Sequence, residues 1–168
     1  MTYTIDMLID KIKEVGKSYD LDKIQAAYEL AEKAHDGIFR SSGEPYITHP
    51  VAVAYILVEQ FCMDTDTICA ALLHDVVEDT DVGLDVIQKK FGEDVAHLVD
   101  GVTKIGQVPL NTREEQQAEN IRKILIAMSK DIRVIIIKLA DRLHNMRTIE
   151  CMNCLLYTSP SPRDKRQS

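Results

Sequence analysis

The sequence predicts an all-α protein with one domain. Apolar residues recur every three or four positions along most of the 168-residue chain, which is the spacing of amphipathic helices. Alternating runs typical of half-buried strands are nearly absent, and there are only seven glycines to interrupt the helical segments. A chain of this length buries about 70% of its unfolded surface, which suits a single core.

In the first half of the chain the sequence predicts four helices, with a loop between the second and the third. Their predicted ranges are residues 4–15, 20 to about 37, 51–61 and 64–77. Turn-forming residues in 39–46 predict a loop. Pro50 suits the first turn of the third helix, so His49 is expected at the N-terminus of that helix. His35 is expected to cap the end of the second helix rather than to bind a ligand.

The second half predicts four more helices. They are residues 84–91, 93 to about 104, 112–128 after a loop at 107–111, and 131–150. Four consecutive β-branched residues at 134–137 would also suit a buried strand, but the helical period continues beyond them and favours one long buried helix. On this helix Asp141, Asn145 and Thr148 share one face, and polar groups on a buried helix need partners.

Charge and composition limit the classes of function. The formal net charge of −7, with no basic face, argues against nucleic acid as the main partner. No segment has the roughly 20 apolar residues of a membrane span, and the N-terminus lacks the apolar region of a signal peptide. The four cysteines do not form a secreted disulfide pattern. We therefore expect a cytoplasmic protein with no membrane or nucleic-acid partner.

The strongest candidate for a functional site is the end of the apolar segment 70–81. It carries His74, Asp75, Glu78 and Asp79, which lie close together on neighbouring faces if the segment is helical. Three carboxylates and an imidazole would be costly in a dry core, and a bound divalent cation would remove that cost. Asp141 is a candidate for the fourth metal ligand. The alternative is an ordinary solvated acidic helix end.

Longer motifs add a family resemblance. The order His49, His74-Asp75, Asp141 is the pattern of the HD superfamily of metal-dependent phosphohydrolases. Residues 39–50, 73–80, 99–104, 114–120 and 137–148 closely resemble the N-terminal hydrolase domain of RelA/SpoT-type (Rel) enzymes. These enzymes are bifunctional bacterial synthetase/hydrolases of (p)ppGpp, the alarmone of the stringent response. The resemblance covers about residues 1–150.

The resemblance implies an HD-domain helical bundle that holds one Mn²⁺ and hydrolyses the 3′-pyrophosphate of (p)ppGpp to GDP or GTP and pyrophosphate. By position, the implied metal ligands are His49, His74, Asp75 and Asp141. Glu78 and Asp79 match the pair that positions and activates the attacking water. Arg40 matches the residue that stacks on guanine, and Asn145 and Thr148 match substrate-contacting positions.

Two comparisons of residues with the family pattern bear on activity. In family members that only synthesise the alarmone, the His-Asp and Glu-Asp positions have degenerated, so their presence here implies a working hydrolase site. Ser41 stands where many relatives carry a lysine, which bears on guanine affinity rather than on the chemistry.

The resemblance stops near Glu150. Residues 151–168 include a polar stretch rich in serine and proline that resembles translated sequencing-adapter read-through, so a non-native or disordered tail is expected there. Relatives continue with further helices, a synthetase domain and regulatory modules, which are the expected partners in a full-length protein. Without the further helices, helix 131–150 is expected to expose apolar surface.

Three alternatives stay open from the sequence alone. One is an HD phosphohydrolase for another nucleotide. Another is a catalytically silent regulatory domain. The third is a standalone small alarmone hydrolase, although such a protein should carry its own closing helices.

Overall fold

Most of the backbone that the structure describes is helical. A computed structural model describes residues 2–106, 122, 126 and 131–158. The helices are α1 Ile5–Val15, α2 Leu21–Ala34, α3 Thr48–Phe61, α4 Thr65–Leu73, α5 Val76–Asp79, α6 Leu84–Phe91, α7 Glu93–Gly106 and α8 Ile132–Thr158. Within the described ranges there is no β-strand, only a single antiparallel bridge between Phe39 and Pro45. The predicted all-α fold is confirmed.

Local sequence signals set several helix ends. The side-chain oxygens of Thr4, Asp20 and Asp64 each accept a hydrogen bond from the backbone N–H three residues later, at the starts of α1, α2 and α4. Each such cap contributes about 1 kcal/mol. α1 ends at Gly16, whose φ of 71° is left-handed and favours glycine.

The centre of the bundle is the pair α3 and α4. Residues 48–54 and 56–58 of α3 and residues 67–73 of α4 are buried. A helix that is buried on all sides must be surrounded by other elements. Accordingly, α1 and α8 pack on α3, while α2 and α7 pack on α4.

The connection between the two central helices places the first candidate residues together. Only residues 62–64 separate α3 from α4, so the helices run antiparallel and the start of α3 lies beside the end of α4. His49 is the second residue of α3, and His74 directly follows α4. Their rings therefore lie close together, with 5.5 Å between the ring centroids and 63° between the ring planes.

Among the predicted helix boundaries that differ from the structure, two lie at candidate residues. The prediction of one continuous helix over 64–77 is wrong, because α4 ends at Leu73 and α5 begins at Val76. His74 and Asp75 form the junction and keep right-handed backbone angles, so the chain bends without reversing. In addition, α3 begins at Thr48 rather than at residue 51, because His49 and Pro50 already belong to its first turn.

The last described helix carries the third part of the site. α8 confirms the choice of helix over strand at residues 134–137. Its backbone continues into residues 151–158, part of the predicted tail, so the position of the domain boundary stays a prediction. The loop at 107–111 and helix 112–128 lie outside the described residues, apart from 122 and 126, which are helical. None of the described helices is long and apolar enough to span a membrane.

The two faces of α8 differ in burial. Val134, Ile137 and Ala140 are buried in the core. Leu139 is 59% exposed and Met146 65% exposed, and together with the partly exposed Leu143 they form a stripe with helical spacing. Apolar surface on this helix was expected from the sequence.

A matched pair of substitutions on α8 tests this difference. Ile137→Ala should lower the free energy of unfolding by about 2–5 kcal/mol, because it leaves a cavity in the core. Leu139→Ala should change it by no more than about 0.5 kcal/mol. Urea denaturation measures both values. Equal losses for the two variants would mean that the Leu139 face is covered in solution.

An ionic contact ties the start of α8 to the start of α4. The guanidinium of Arg133 lies 2.7 Å from Asp131 Oδ2 and 3.0 Å from Asp64 Oδ2. Hydrogen bonds from Arg133 hold the pKa of the Asp131 carboxyl below its usual range. A carboxyl with a lowered pKa stabilises the fold above its unfolded-state pKa, and this contribution is lost as the pH falls through the folded-state value.

The variant Arg133→Gln tests this ionic contact. Near neutral pH we expect it to lower the free energy of unfolding by about 1 kcal/mol, since the contact is only partly buried. The difference from the wild type should shrink as the pH falls below about 4, where the carboxyls become protonated. Denaturation curves over a pH series measure this, and a difference that stays constant down to low pH would contradict the ionic origin.

Candidate metal centre

Three buried side chains from different parts of the chain meet at one point. His49 comes from the start of α3, His74 from the end of α4 and Asp141 from the middle of α8. One potential ligand atom from each lies within 4.8 Å of the others. The packing of α4 and α8 on α3 thus brings together residues that are 92 positions apart in the sequence (141 − 49).

The protonation of His74 follows from its hydrogen bond. Its Nδ1 lies 2.7 Å from the carbonyl oxygen of Ala71, and a carbonyl only accepts, so Nδ1 carries the ring proton. In the neutral ring, Nε2 then presents a lone pair. This atom is buried and has no hydrogen-bond partner among the described residues, although Asp75 Oδ2 lies 3.2 Å away. A lone pair facing a carboxylate in a dry environment is unfavourable unless a cation lies between them.

The distances from His49 to the neighbouring carboxylates also suit ligands of one metal ion. His49 Nε2 is 3.1 Å from Asp141 Oδ1 and 3.8 Å from Asp75 Oδ2. Neighbouring ligands around an ion bonded at about 2.1 Å are separated by about 3 Å, so these atoms have the spacing of one coordination sphere.

The charge states also suit metal binding. Burial lowers the pKa of His49, which favours the neutral imidazole. Burial by itself raises the pKa of Asp141, but its contacts with the imidazoles of His49 and His74 and with the ammonium of Lys138 outweigh it and hold that pKa below its usual range. A neutral imidazole and an ionised carboxylate are the forms that bind metals. These residues therefore fit a divalent cation.

Asp75, the fourth predicted ligand, is held in place by a residue that is not itself a predicted ligand. The hydroxyl of Tyr46 donates to Asp75 Oδ2 over 2.7 Å. Burial and the neighbouring carboxylates raise the pKa of Tyr46, so its hydroxyl keeps its proton. The ring of His35 stacks on Tyr46 at 4.6 Å, which fixes the ring position. His35 is also the C-terminal cap of α2, as predicted.

A polar cavity of about 230 Å³ adjoins these groups. It is lined by Arg40, Tyr46, His49, Asp75, Glu78, Asp79, Lys138, Asp141 and Asn145. The structure thus collects almost all the residues that the sequence singled out. His74 lies behind this lining, against Asp75. Thr148 is not part of the lining, and its hydroxyl donates to carbonyl oxygens of its own helix.

Glu78 and Asp79 border two spaces. They line the 230 Å³ cavity and also a larger, open cleft of about 560 Å³. The cleft is otherwise formed by Ala34 and residues 80–82. The two carboxylates therefore stand between the candidate metal centre and bulk water.

Arg40 is presented by a tight loop. Its backbone N–H donates to the carbonyl of Glu44, and its carbonyl accepts from Gly43, whose φ of 84° is left-handed. From this loop the guanidinium donates to Asn145 Oδ1 over 2.7 Å. The arginine and the amide assigned to substrate contacts are therefore in direct contact with each other.

Three polar residues of the site were not predicted from the sequence. Tyr46 lies within a quoted motif but was assigned no role. Lys138 and His144 stand three residues before and after Asp141, and on a helix such neighbours share a face. Lys138 Nζ lies 2.7 Å from Asp141 Oδ2. Burial, the adjacent imidazole of His49 and the guanidinium of Arg40 lower the pKa of His144 to about 4. Helical spacing around Asp141 could have identified both residues.

Comparison with known proteins agrees with this site. Residues 27–154 match the HD domain family. The chain belongs to this family of HD domain proteins.

Its relatives are Rel-type proteins. It is 51% identical over 146 residues to the guanosine-3′,5′-bis(diphosphate) 3′-pyrophosphohydrolase of Vibrio cholerae, covering 84% of this chain and 21% of that protein. It is 49% identical over 146 residues to the bifunctional (p)ppGpp synthase/hydrolase SpoT of Escherichia coli K12, with the same coverage. It is 49% identical over 150 residues to a probable GTP pyrophosphokinase of Mycobacterium leprae, covering 87% of this chain and 19% of that protein.

A solved structure is also similar. It is described as a metazoan ortholog of SpoT that hydrolyses ppGpp, and it matches with a TM-score of 0.63 at 33% identity, over 80% of this chain and 74% of that one. The resemblance to Rel-type proteins inferred from the motifs is confirmed. The chain spans about a fifth of the length of the bacterial relatives.

Tyr46→Phe tests the support of the metal centre. Removal of the hydroxyl leaves Asp75 without its 2.7 Å donor, and we expect divalent-cation affinity to fall about 10-fold or more. Isothermal titration with Mn²⁺ measures this. The matched control is Tyr28→Phe. The hydroxyl that it removes donates to Glu32 on the surface of α2, so the Mn²⁺ affinity of this variant should equal that of the wild type. Equal affinities for both variants would remove Tyr46 from the site.

Proposed function

We propose that this domain hydrolyses the 3′-pyrophosphate of (p)ppGpp, giving GDP or GTP and pyrophosphate, with Mn²⁺ bound by His49, His74, Asp75 and Asp141. The observation that carries the proposal is the buried Nε2 of His74, which has no hydrogen-bond partner among the described residues and faces the carboxylate of Asp75 beside His49 and Asp141. The names of the relatives, two of which specify hydrolysis of this alarmone, supply the substrate.

The choice of cation follows from the ligands. Two imidazoles and two carboxylates, with no thiolate, suit Mn²⁺ or another first-row ion. When bound, such an ion neutralises phosphoryl oxygens and makes water more acidic.

Glu78 and Asp79 are the proposed acid/base pair. They lie at the border between the cavity and the open cleft, so water can reach them without crossing the nucleotide side. A carboxylate in this position can take the proton of the attacking water and direct its oxygen at the phosphorus.

Recognition of the nucleotide is assigned to the other side of the cavity. Arg40 has a planar guanidinium that can stack on a purine, and its contact with Asn145 orients it. Lys138 adds a second positive charge within the cavity lining. These local charges allow an anionic substrate despite the net charge of −7. The proposed contact of Thr148 with substrate would require its hydroxyl to leave the helix carbonyls.

The larger protein is part of the proposal. Because the curated relatives are about five times longer than the matched segment, we propose that the domain works beside synthetase and regulatory domains. Cytoplasmic location stays a prediction from the sequence.

The decisive assay measures pyrophosphate release from ppGpp with added Mn²⁺, with EDTA as the metal-free control. Asp75→Ala should lose metal binding and turnover together. Glu78→Ala should keep metal binding and lower kcat about 10²–10⁴-fold, because it removes only the acid/base group. His97→Asn, an exposed histidine away from the cavity, should behave as wild type.

Each other outcome has a specific meaning. Near wild-type turnover in Glu78→Ala would remove the acidic pair from the mechanism. Release of phosphate or pyrophosphate from a different nucleotide in a substrate panel, without turnover of ppGpp or pppGpp, would indicate another HD phosphohydrolase. Bound Mn²⁺ with no turnover of any nucleotide would indicate a regulatory domain.

A further inference from the structure

His144 is a buried residue of α8 to which the proposed reaction gives no role. We propose that His144 is a positioning residue which, together with Arg40, fixes the tautomer of His49 so that Nε2 of His49 offers its lone pair to the metal. This inference rests on the metal site of the proposed function. It concerns how one ligand is prepared rather than which residues are ligands.

The contacts that carry the inference form a closed cycle of five side chains. Arg40 Nη1 lies 3.3 Å from His144 Nδ1, which in turn lies 2.8 Å from His49 Nδ1. On the other side of its imidazole, His49 Nε2 lies 3.1 Å from Asp141 Oδ1, which accepts a hydrogen bond from Asn145 Nδ2 over 2.7 Å. Asn145 Oδ1 closes the cycle by accepting from Arg40 Nη2 over 2.7 Å.

This cycle of side chains has only one consistent placement of protons when the two imidazoles are neutral. A guanidinium can only donate, so His144 Nδ1 is an acceptor and the proton of His144 is on Nε2. His49 Nδ1 lies 2.8 Å from that same acceptor and must therefore be the donor. This leaves Nε2 of His49 unprotonated, which is the form that binds a metal.

Without this arrangement the opposite tautomer would be favoured. His49 Nε2 faces the carboxylates of Asp141 and Asp75, and a carboxylate attracts a proton to the nitrogen it faces. A proton on Nε2 would block coordination. The bond from His49 Nδ1 to His144 opposes that tendency by holding the proton on the other side of the ring.

The comparison with His74 shows what is particular about this arrangement. The Nδ1 of His74 donates to the backbone carbonyl of Ala71, which is always an acceptor. The partner of His49 is instead a second imidazole, which accepts at Nδ1 only in one tautomer. Arg40 selects that tautomer, so the arginine assigned to the nucleotide also determines the state of a metal ligand.

The first test is Mn²⁺ affinity measured without nucleotide. His144→Leu removes the acceptor and should weaken binding about 10–100-fold. His144→Asn places an amide oxygen close to the position of Nδ1 and should stay within a few-fold of wild type. His97→Leu, an exposed histidine on α7, is the matched control and should bind as wild type.

Arg40→Leu separates this role from simple electrostatics. Removing a positive charge near a cation site should by itself strengthen Mn²⁺ binding. The proposal requires the opposite sign, because loss of Arg40 frees His144 to adopt the other tautomer. Weaker binding in the absence of nucleotide is therefore expected, and binding as tight as wild type, or tighter, would overturn the role of Arg40.

A direct measurement does not depend on how the variants fold. Long-range ¹H–¹⁵N correlations of the histidine rings in the metal-free wild-type protein distinguish a protonated from an unprotonated ring nitrogen. His144 should carry its proton on Nε2 at neutral pH. A proton on Nδ1 of His144 would overturn the proposal.

The outcomes distinguish this inference from the proposed function. Turnover of ppGpp by the wild type, with unchanged Mn²⁺ affinity in His144→Leu, would overturn the inference and leave the function standing. The expected tautomer and affinities without turnover of ppGpp would leave the inference standing and overturn the function. A wild-type protein that binds no Mn²⁺ would overturn both.

Discussion

The antiparallel contact between α3 and α4 is the constraint on which the site depends. Both helices are buried on almost every side, so their axes cannot shift without opening the core. The short link at 62–64 fixes which ends meet. His49 and His74 are therefore held next to each other by apolar packing, and α8 needs only to pack across α3 for Asp141 to complete the group.

The charges around this group are balanced over short distances. Asp75 has the hydroxyl of Tyr46, and Asp141 has Lys138 and the amide of Asn145. The carboxylate oxygens that face the imidazoles also accept hydrogen bonds, Asp75 Oδ2 from Tyr46 and Asp141 Oδ1 from Asn145. An acidic protein can in this way present a cation site next to positive groups suited to a phosphorylated ligand.

Sequence periodicity and capping residues predicted most of the fold, because each helix end with a side-chain cap is encoded locally, as at Thr4, Asp20 and Asp64. The break at His74 and Asp75 was missed, since the backbone there stays nearly helical and no glycine or proline marks it. The motif led us to expect His49, His74 and Asp141 near one another, and the structure places them together.

The supporting residues were harder to predict than the ligands. His144 and Tyr46 acquire their roles from contacts between distant segments, 95 residues apart for His144 with His49 and 29 for Tyr46 with Asp75. Helical spacing places His144 on the same face as Asp141, but it cannot show which distant residue His144 contacts. The carbonyl of Ala71 is different again, because it belongs to the backbone. Its hydrogen bond to His74 survives any codon change at position 71 that preserves the helix, whereas few codons at position 144 encode an acceptor in the right place. The two histidines of one centre therefore depend on different parts of the chain: the backbone of a helix for His74, and the identity of one side chain for His49.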